Sequence, residues 1–195
     1  IDQRSNIWVA TTNGLNYKRN GEDNFHNLSH LQKDSNGISN DFIYSLCEDK
    51  EGNIWIGTNG GGLDKLNTTD FTFTNYSKKQ GLSGNIVFNI IEDNKGFLWI
   101  TTENGISKLD PSNNQIYNIL YGEGISKNKF NPNAALKTEN GNILFGGTNG
   151  FIYFDPVSIQ VNKIKPTTII TSFYIDNKRI TPSNSDILKQ DISIT

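Results

Sequence analysis

The chain repeats one pattern of polar and apolar positions four times. A polar turn that contains glycine leads into a short apolar run, a second glycine turn follows, and the chain then returns to apolar positions. Apolar runs between tight turns predict antiparallel strands. The copies are centred on Trp8, Trp55, Trp99 and Leu144, at spacings of 47, 44 and 45 residues. A strand repeat with this period is typical of the blades of a β-propeller.

Each repeat predicts a blade of four antiparallel strands, and the fold class is all-β. The second and third repeats predict strands at residues 42–48, 53–57, 63–66 and 71–76, and at 86–92, 97–101, 106–109 and 115–119. In the last repeat they fall at about 133–137, 142–146, 151–154 and 157–161. The first strand of a blade is apolar on both sides because each blade packs between two others.

These strands define a partial β-propeller of about four blades over residues 1–162. The blades are expected at about 1–29, 38–77, 82–120 and 125–162. Aligning Asp2 with Asp49 and Asp93 places Ile1 at the end of an inner strand. We therefore expect the first blade to lack its innermost strand and the chain to be a piece of a longer protein.

The pattern changes near residues 160–166, where we expect a domain boundary. Residues 167–175, a two-residue turn and residues 178–180 predict a β-hairpin. A hairpin of this size is not stable alone. We therefore interpret residues 166–195 as the beginning of a second domain.

Charge and cysteine content exclude several classes of function. The formal net charge is −2 and the basic residues are scattered, whereas duplex binding needs a concentrated basic surface, so no nucleic-acid partner is expected. The single cysteine, Cys47, can form no internal disulfide and is interpreted as a small buried residue of a strand. No apolar run approaches the roughly 18 residues of a membrane helix, so the chain is not itself membrane-embedded.

Four motifs suggest chemistry, but each has a stronger structural interpretation. The glycines at 60–62 are followed by Leu63 instead of lysine and lead into a strand, which favours a turn over a phosphate loop. His26 and His30 lack a metal-binding motif and are interpreted as exposed polar residues. We expect no enzyme activity in this chain, no cofactor and no metal.

The carboxylate pairs Glu48–Asp49 and Glu92–Asp93 resemble the two acids of a glycosidase. They recur at one blade position directly before a turn, which indicates that they cap the hairpin through Asx-type hydrogen bonds. The three tryptophans could stack on sugars, but their fixed place in the second strand favours a role in the core between blades.

One set of polar loops suggests a binding face. In a four-stranded meander, the connection from strand four to the next blade lies on the same side as the connection from strand two to strand three. This side gathers amides, hydroxyls, glycines and the nearby aromatics Phe88 and Phe130, which suit an uncharged ligand rich in hydroxyl groups. The candidate ligand-binding residues are Asn40, Tyr44, Asn59, Gly60, Asn85, Asn104, Asn128 and Asn149. The alternative is that these residues are only good turn formers.

The repeated Gly-Leu/Ile-Ser … Glu-Asp-x-x-Gly-x-Ile/Leu-Trp-Ile-x-Thr-x-x-Gly-Leu/Ile pattern resembles the two-component-regulator propeller repeat. Residues 37–66 and 81–109 carry it almost whole, and residues 2–17 carry its second half. Residues 124–154 form a degenerate copy that lacks the tryptophan and the Glu-Asp pair. The segment from Pro166 resembles the start of the immunoglobulin-like domain that follows such propellers.

This resemblance implies the extracytoplasmic sensor region of a hybrid two-component histidine kinase. Such propellers lie in the periplasm, often respond to oligosaccharides from polysaccharide breakdown, and imply a homodimer in the intact protein. Two alternatives remain open at this point. One is an enzyme on a similar propeller, such as a streptogramin-type lyase, which needs a catalytic histidine and metal-binding carboxylates. The other is a purely structural dimerisation propeller.

Overall fold

A computed structural model describes residues 1–30, 37–120, 129–159, 173–175 and 178–180 of the chain. The chain divides into two compact units, residues 1–160 and 161–195. Apart from one short 3₁₀ helix, Lys78–Gln80, the regular structure of the described residues is all β-strand. The predicted fold class is confirmed.

The described residues of unit one form fourteen strands in four antiparallel sheets. The strands are β1 (Ile7–Ala10), β2 (Leu15–Lys18), β3 (His26–Leu28), β4 (Ile43–Glu48), β5 (Ile54–Thr58), β6 (Leu63–Asn67), β7 (Thr72–Tyr76), β8 (Val87–Glu92), β9 (Leu98–Thr102), β10 (Gly105–Asp110), β11 (Gln115–Leu120), β12 (Phe130–Lys137), β13 (Ile143–Gly147) and β14 (Gly150–Phe154). In the second unit β15 (Phe173–Ile175) pairs with β16 (Lys178–Ile180) in an antiparallel manner.

Strands that are consecutive in the chain are neighbours in every sheet. The two complete blades have the orders β4-β5-β6-β7 and β8-β9-β10-β11, as predicted from the repeat. The first described sheet is β1-β2-β3, with no strand on the inner side of β1 among the described residues. The last described sheet is β12-β13-β14. Its predicted fourth strand is not seen at residues 155–158, which form a turn, and residues 160–161 lie outside the described residues.

The blades are held together by three apolar clusters, one between each successive pair of sheets. Trp55 and Leu63 of the second blade pack against Leu98 and Ile100 of the third. The next cluster, centred on Trp99, contains Phe145 of the fourth blade, and the equivalent cluster beside Trp8 joins the first and second blades. The tryptophan of one blade therefore faces the strand-two aliphatic or aromatic residues of the following blade.

The interpretation of the tryptophans as core residues is confirmed most clearly for the two complete blades. Trp55 and Trp99 are fully buried, whereas Trp8 is half-buried and stacks on Tyr17 at 5.3 Å between ring centroids. Lys65 and Lys108 lie over the indole rings of Trp55 and Trp99 at 5.3 and 5.0 Å. The third strand thus covers the outer edge of each buried indole.

Each indole nitrogen is bound by an aspartate of its own hairpin. Trp8, Trp55 and Trp99 donate from Nε1 to Oδ2 of the aspartate six positions earlier, at 2.8, 2.7 and 2.9 Å. The Oδ1 of the same aspartate accepts two backbone N–H groups of the turn. Distances to these N–H groups are 3.0 and 2.9 Å for Asp49, and 2.8 and 3.0 Å for Asp93. Asx-type capping was predicted; the bond to the indole was not.

The glutamate before each aspartate has a different role from the one predicted. Glu48 accepts the backbone N–H of Gln3 at 3.1 and 3.0 Å, and Glu92 accepts the N–H of Lys50 at 3.4 Å. Lys50 in turn donates from Nζ to the Asn94 carbonyl at 2.7 Å. The glutamate therefore ties its blade to the turn of the preceding blade and does not cap its own hairpin.

A cavity of about 140 Å³ lies between the beginning of the chain and strands β4 and β5 of the second blade. Its walls include Asp2, Trp8, Leu46 and Ile54. Cys47 also lines it and is half-buried, not fully buried as predicted. Burial raises the pKa of its thiol to about 11, which keeps the thiol protonated near neutral pH.

Replacing Asp93 with alanine should lower the free energy of unfolding by about 3 kcal/mol, because the buried indole N–H of Trp99 and two turn N–H groups lose a charged acceptor. Urea denaturation measures this. Asp110→Ala is the matched control, since Asp110 also accepts three hydrogen bonds, but at a more exposed turn without an indole. It should cost about 1 kcal/mol. Equal losses in the two variants would contradict a special role for the indole bond.

Candidate ligand-binding face

The loops predicted to form a binding face do meet at one edge of the blades. Asn59 donates its backbone N–H to the carbonyl of Phe42 at 2.8 Å. Gly60 and Gly62 donate theirs to the carbonyl of Asn85, at 3.1 and 2.8 Å. The loop between strands two and three of one blade is therefore bound to the chain that enters the next blade. We call this edge the polar face.

Glycine is required in the loop for steric reasons. Gly60 and Gly62 have φ angles of 108° and 94°, in the left-handed region that favours glycine. A side chain at Gly62 would also collide with the carbonyl oxygen of Tyr76. The predicted structural turn at residues 60–62 is confirmed.

Most asparagines of the polar face already have hydrogen-bond partners. Asn40 Oδ1 accepts the N–H of Phe42 at 2.8 Å, and Asn85 Oδ1 accepts the N–H of Lys78 at 2.8 Å. Asn104 donates from Nδ2 to the carbonyl of Ser83 at 3.0 Å. These side chains stabilise the loops, as expected of good turn formers, and this use does not depend on a ligand.

Asn59 differs from the other asparagines. Its side chain is half-buried, and within the described part of the chain its amide makes no hydrogen bond. Asn149 is exposed at the corresponding loop of the last blade, while Asn128 lies outside the described residues. Asn59 is therefore the asparagine of this set whose amide is free to meet a ligand.

The aromatic residues near the face divide into two groups. Phe130 was predicted to support a ligand, but it is only 2 % exposed and packs against Phe145 in the cluster around Trp99. Tyr44 and Phe88 are half-buried, and their ring centroids lie 5.6 Å apart. Phe130 is therefore a core residue, whereas Tyr44 and Phe88 are partly accessible.

Buried polar side chains form hydrogen bonds to the loops of the polar face. Asp64 is fully buried and accepts the N–H and the hydroxyl of Ser39, both at 2.8 Å, and the amide of Asn75 at 2.9 Å. In the next blade, Ser107 takes the place of Asp64 and bonds to the hydroxyl of Ser83 at 2.8 Å. Burial raises the pKa of Asp64, against the hydrogen bonds from Ser39 and Asn75, which lower it.

The two histidines contact a carboxylate and a backbone carbonyl. His26 is exposed and lies 3.0 Å from a carboxylate oxygen of Glu22, and His30 is exposed with Nδ1 2.7 Å from the carbonyl of Ile38. Among the described residues, no group of three potential metal ligands is close enough to hold an ion. No helix in the described ranges is long and apolar enough to cross a membrane.

The repeat, the sheet order and the hydrogen bonds between neighbouring blades define a β-propeller chain. Residues 36–60 and 81–104 match the family described as two component regulator propeller. The chain therefore carries repeats of the two-component-regulator propeller family, as the sequence pattern predicted. In both matched stretches the strand-two tryptophan and its aspartate are the buried pair described above.

Known proteins similar to this chain include a histidine kinase and propellers of different function. The chain is 31 % identical over 162 residues to histidine kinase P4 of Formosa agariphila. The aligned region covers 82 % of this chain and 8 % of that protein. The extracellular domain of a putative hybrid two component system of B. thetaiotaomicron matches with a TM-score of 0.50 and 21 % identity, over 95 % of this chain and 32 % of that one.

Virginiamycin B lyase of Staphylococcus aureus has the same fold. It matches with a TM-score of 0.58 and 16 % identity, over 80 % of this chain and 53 % of the lyase. Both structural matches establish the fold alone. The chain spans about one twelfth of the kinase and at most about half of these two structures.

Two of the buried aspartates, Asp64 and Asp2, should give the stability opposite pH dependences. The folded-state pKa of Asp64 is raised, so its contribution is full below the unfolded pKa and is lost as pH rises through the folded value. In Asp2 burial also raises the pKa, but the bonds from Trp8 and Asn6 outweigh it, and the net pKa is lowered.

Urea unfolding of the parent chain, Asp64→Asn and Asp2→Asn between about pH 3 and pH 7 measures both effects. The stability of the parent relative to Asp64→Asn should fall as pH rises. Relative to Asp2→Asn it should increase over the same range. A parallel pH dependence of the two differences would contradict the assignment of Asp64 as a carboxylate destabilised by burial.

Proposed function

We propose that this chain is part of the extracytoplasmic, periplasmic ligand-recognition region of a two-component sensor kinase, and that it responds to oligosaccharides released from polysaccharides. The observation that carries the proposal is the polar face. It combines the free amide of Asn59, the exposed backbone of Gly60 and the accessible ring of Tyr44 at one edge of rigid blades.

The sensor part of the proposal is supported by the comparisons. The histidine kinase relative aligns with most of this chain. Regulator-propeller repeats occupy two blades of this chain. The hybrid-system structure with the same fold is described as an extracellular domain. We infer that the kinase activity belongs to a longer protein and that the propeller supplies recognition, with a homodimer as the expected assembly.

The ligand class follows from the chemistry of the face. Amide and backbone groups can donate and accept hydrogen bonds with hydroxyls without requiring a charge on the ligand. The carboxylate of Glu103 on this face is already occupied, because its oxygens accept the N–H groups of Asn85 and Ile86 at 3.0 and 2.9 Å. An uncharged, hydroxyl-rich ligand therefore suits the face better than a cation or an anion.

A lyase is the second candidate function, since the fold also matches virginiamycin B lyase. In a related structure of that enzyme, a histidine-to-alanine variant is described as catalytically inactive. The histidines of the present chain lie on the outer strand β3 and directly after it, bound to Glu22 and to the Ile38 carbonyl. This placement favours recognition over lyase chemistry. A scaffold that binds no ligand is the third candidate.

The Asn59→Ala variant should bind a cognate neutral oligosaccharide about threefold to tenfold more weakly, the effect of one lost neutral hydrogen bond. Maltotriose, cellotriose, xylotriose and mannotriose are suitable probes, and calorimetric titration of the chain measures their affinity. The unfolding midpoint should stay close to that of the parent, because the Asn59 side chain makes no hydrogen bond within the described residues.

Asn94→Ala is the matched control, since Asn94 is exposed in a turn at the opposite edge of the blade. It should leave affinity unchanged. Asn104→Ala is a less direct test because it also removes the bond to the Ser83 carbonyl, so its stability must be measured alongside. Unchanged affinity in a folded Asn59→Ala, Asn104→Ala double variant would show that these amides do not bind the sugar, and failure of all four sugars to bind the parent would favour the scaffold function.

A further inference from the structure

The inner strands of three consecutive blades share an irregularity at the polar face. In β4 the pairing with β5 shifts register between Ile43 and Ser45, and in β8 the pairing with β9 shifts between Val87 and Asn89. In β12 the shift spans Phe130 to Ala135. A β-bulge leaves its extra residue unpaired and redirects its side chain, and bulges are frequent beside active sites.

The bulges of β4 and β8 carry aromatic residues in equivalent positions, Tyr44 and Phe88. Together with Phe42 they form a row of rings, with centroid separations of 4.9 Å between Phe42 and Tyr44 and 5.6 Å between Tyr44 and Phe88. Phe42 is 37 % exposed, and the other two rings are half-buried. We call these three residues the aromatic row.

The aromatic row is fixed on one side and open on the other. Phe88 packs against the apolar cluster around Trp99. The carbonyl of Phe42 accepts the Asn59 N–H, which joins the row to the polar face. Within the described ranges the hydroxyl of Tyr44 makes no hydrogen bond, so a half-buried polar group is available at the centre of the row.

The third bulge, in β12, is hydrogen-bonded to Asn89 of β8. Asn89 is 2 % exposed, and it donates from Nδ2 to the carbonyl of Asn131 at 2.9 Å while its Oδ1 accepts the N–H of Ala134 at 3.0 Å. The bulge between them exposes Asn133, which has a φ of 58°. The inner strands thus present two aromatic bulges and one asparagine-containing bulge in successive blades.

We propose that the aromatic row is a sugar-stacking platform in which the bulged Tyr44 and Phe88 rings bind the C–H face of a neutral pyranose. The Tyr44 hydroxyl and the free Asn59 amide then bind hydroxyls at the edge of the same sugar. This assignment rests on the proposed function, because it names the part of the polar face that recognises the oligosaccharide. It places the main contact on residues that the bulges expose, and not on the turn-forming asparagines.

The choice of a pyranose follows from the combination of ring faces and uncharged polar groups. A stacked ring excludes water from apolar C–H surface, while a hydroxyl and an amide can each bond to a sugar hydroxyl. The rings are tilted by 53° and 43° to each other, so they form a curved surface and not a single flat slot.

Calorimetric titration of the chain with maltotriose, cellotriose, xylotriose and mannotriose tests the platform. Tyr44→Ala and Phe88→Leu should each weaken binding of the preferred trisaccharide by about fivefold to tenfold. Tyr44→Phe keeps the ring and should lose only the contribution of the hydroxyl, about threefold. Phe88→Leu is chosen over alanine because it preserves apolar contact with the cluster around Trp99.

Phe25→Ala is the matched control, since Phe25 is 52 % exposed at the outer part of the first blade. It should bind as the parent does. If Tyr44→Ala and Phe88→Leu are folded and bind within about twofold of the parent while Asn59→Ala binds more weakly, the platform is wrong and the proposed function stands. If none of the four sugars binds the parent chain, both the platform and the neutral-oligosaccharide function are overturned.

Discussion

The hydrogen bond between an aspartate and the indole nitrogen six residues later is the interaction on which the first three blades depend. Tryptophan offers the largest apolar surface of any side chain, but its N–H must find an acceptor when it is buried. Asp49 and Asp93 supply that acceptor from within the same hairpin. The neighbouring blade therefore meets an indole that needs only apolar contact, and pairs of aliphatic residues such as Leu98 and Ile100 suffice.

The two edges of the blades use polar groups in opposite ways. At the edge with the Glu-Asp pairs, the carboxylates are committed to the turns: the aspartate binds its own turn and the glutamate binds the preceding one. At the polar face, Asn85 and Asn104 are committed, but the Asn59 amide and the Tyr44 hydroxyl are not committed within the described residues. The edge with the Glu-Asp pairs thus fixes the geometry of the blades, and the polar face retains hydrogen-bonding groups that can bind a ligand.

The sequence predicted the strands well because strand period and glycine turns are local signals. The position of Trp55 in the second strand and the Asx bonds of Asp49 followed from the repeat. The indole bond did not, because it depends on the twist of a hairpin that brings residues six apart together. The bulges at Tyr44 and Phe88 were also missed, since inner strands that are apolar on both sides conceal a register shift. Phe130 was expected to support a ligand, but it packs in the cluster around Trp99. The ligand-binding residues stay a prediction.

The fourth repeat shows how the aspartate–indole pair can be lost. Thr138 stands in the aspartate position and Leu144 in the tryptophan position, and the Thr138 hydroxyl still donates to the Asn142 carbonyl of the turn at 3.2 Å. The two substitutions are not equivalent as first steps. If the tryptophan is replaced first, the aspartate keeps its hydrogen bonds to the backbone of the turn. If the aspartate is replaced first, a buried indole N–H is left without an acceptor. The tryptophan and the aspartate are therefore coupled, and replacing both, as in the fourth repeat, leaves neither an indole N–H nor a carboxylate without its partner.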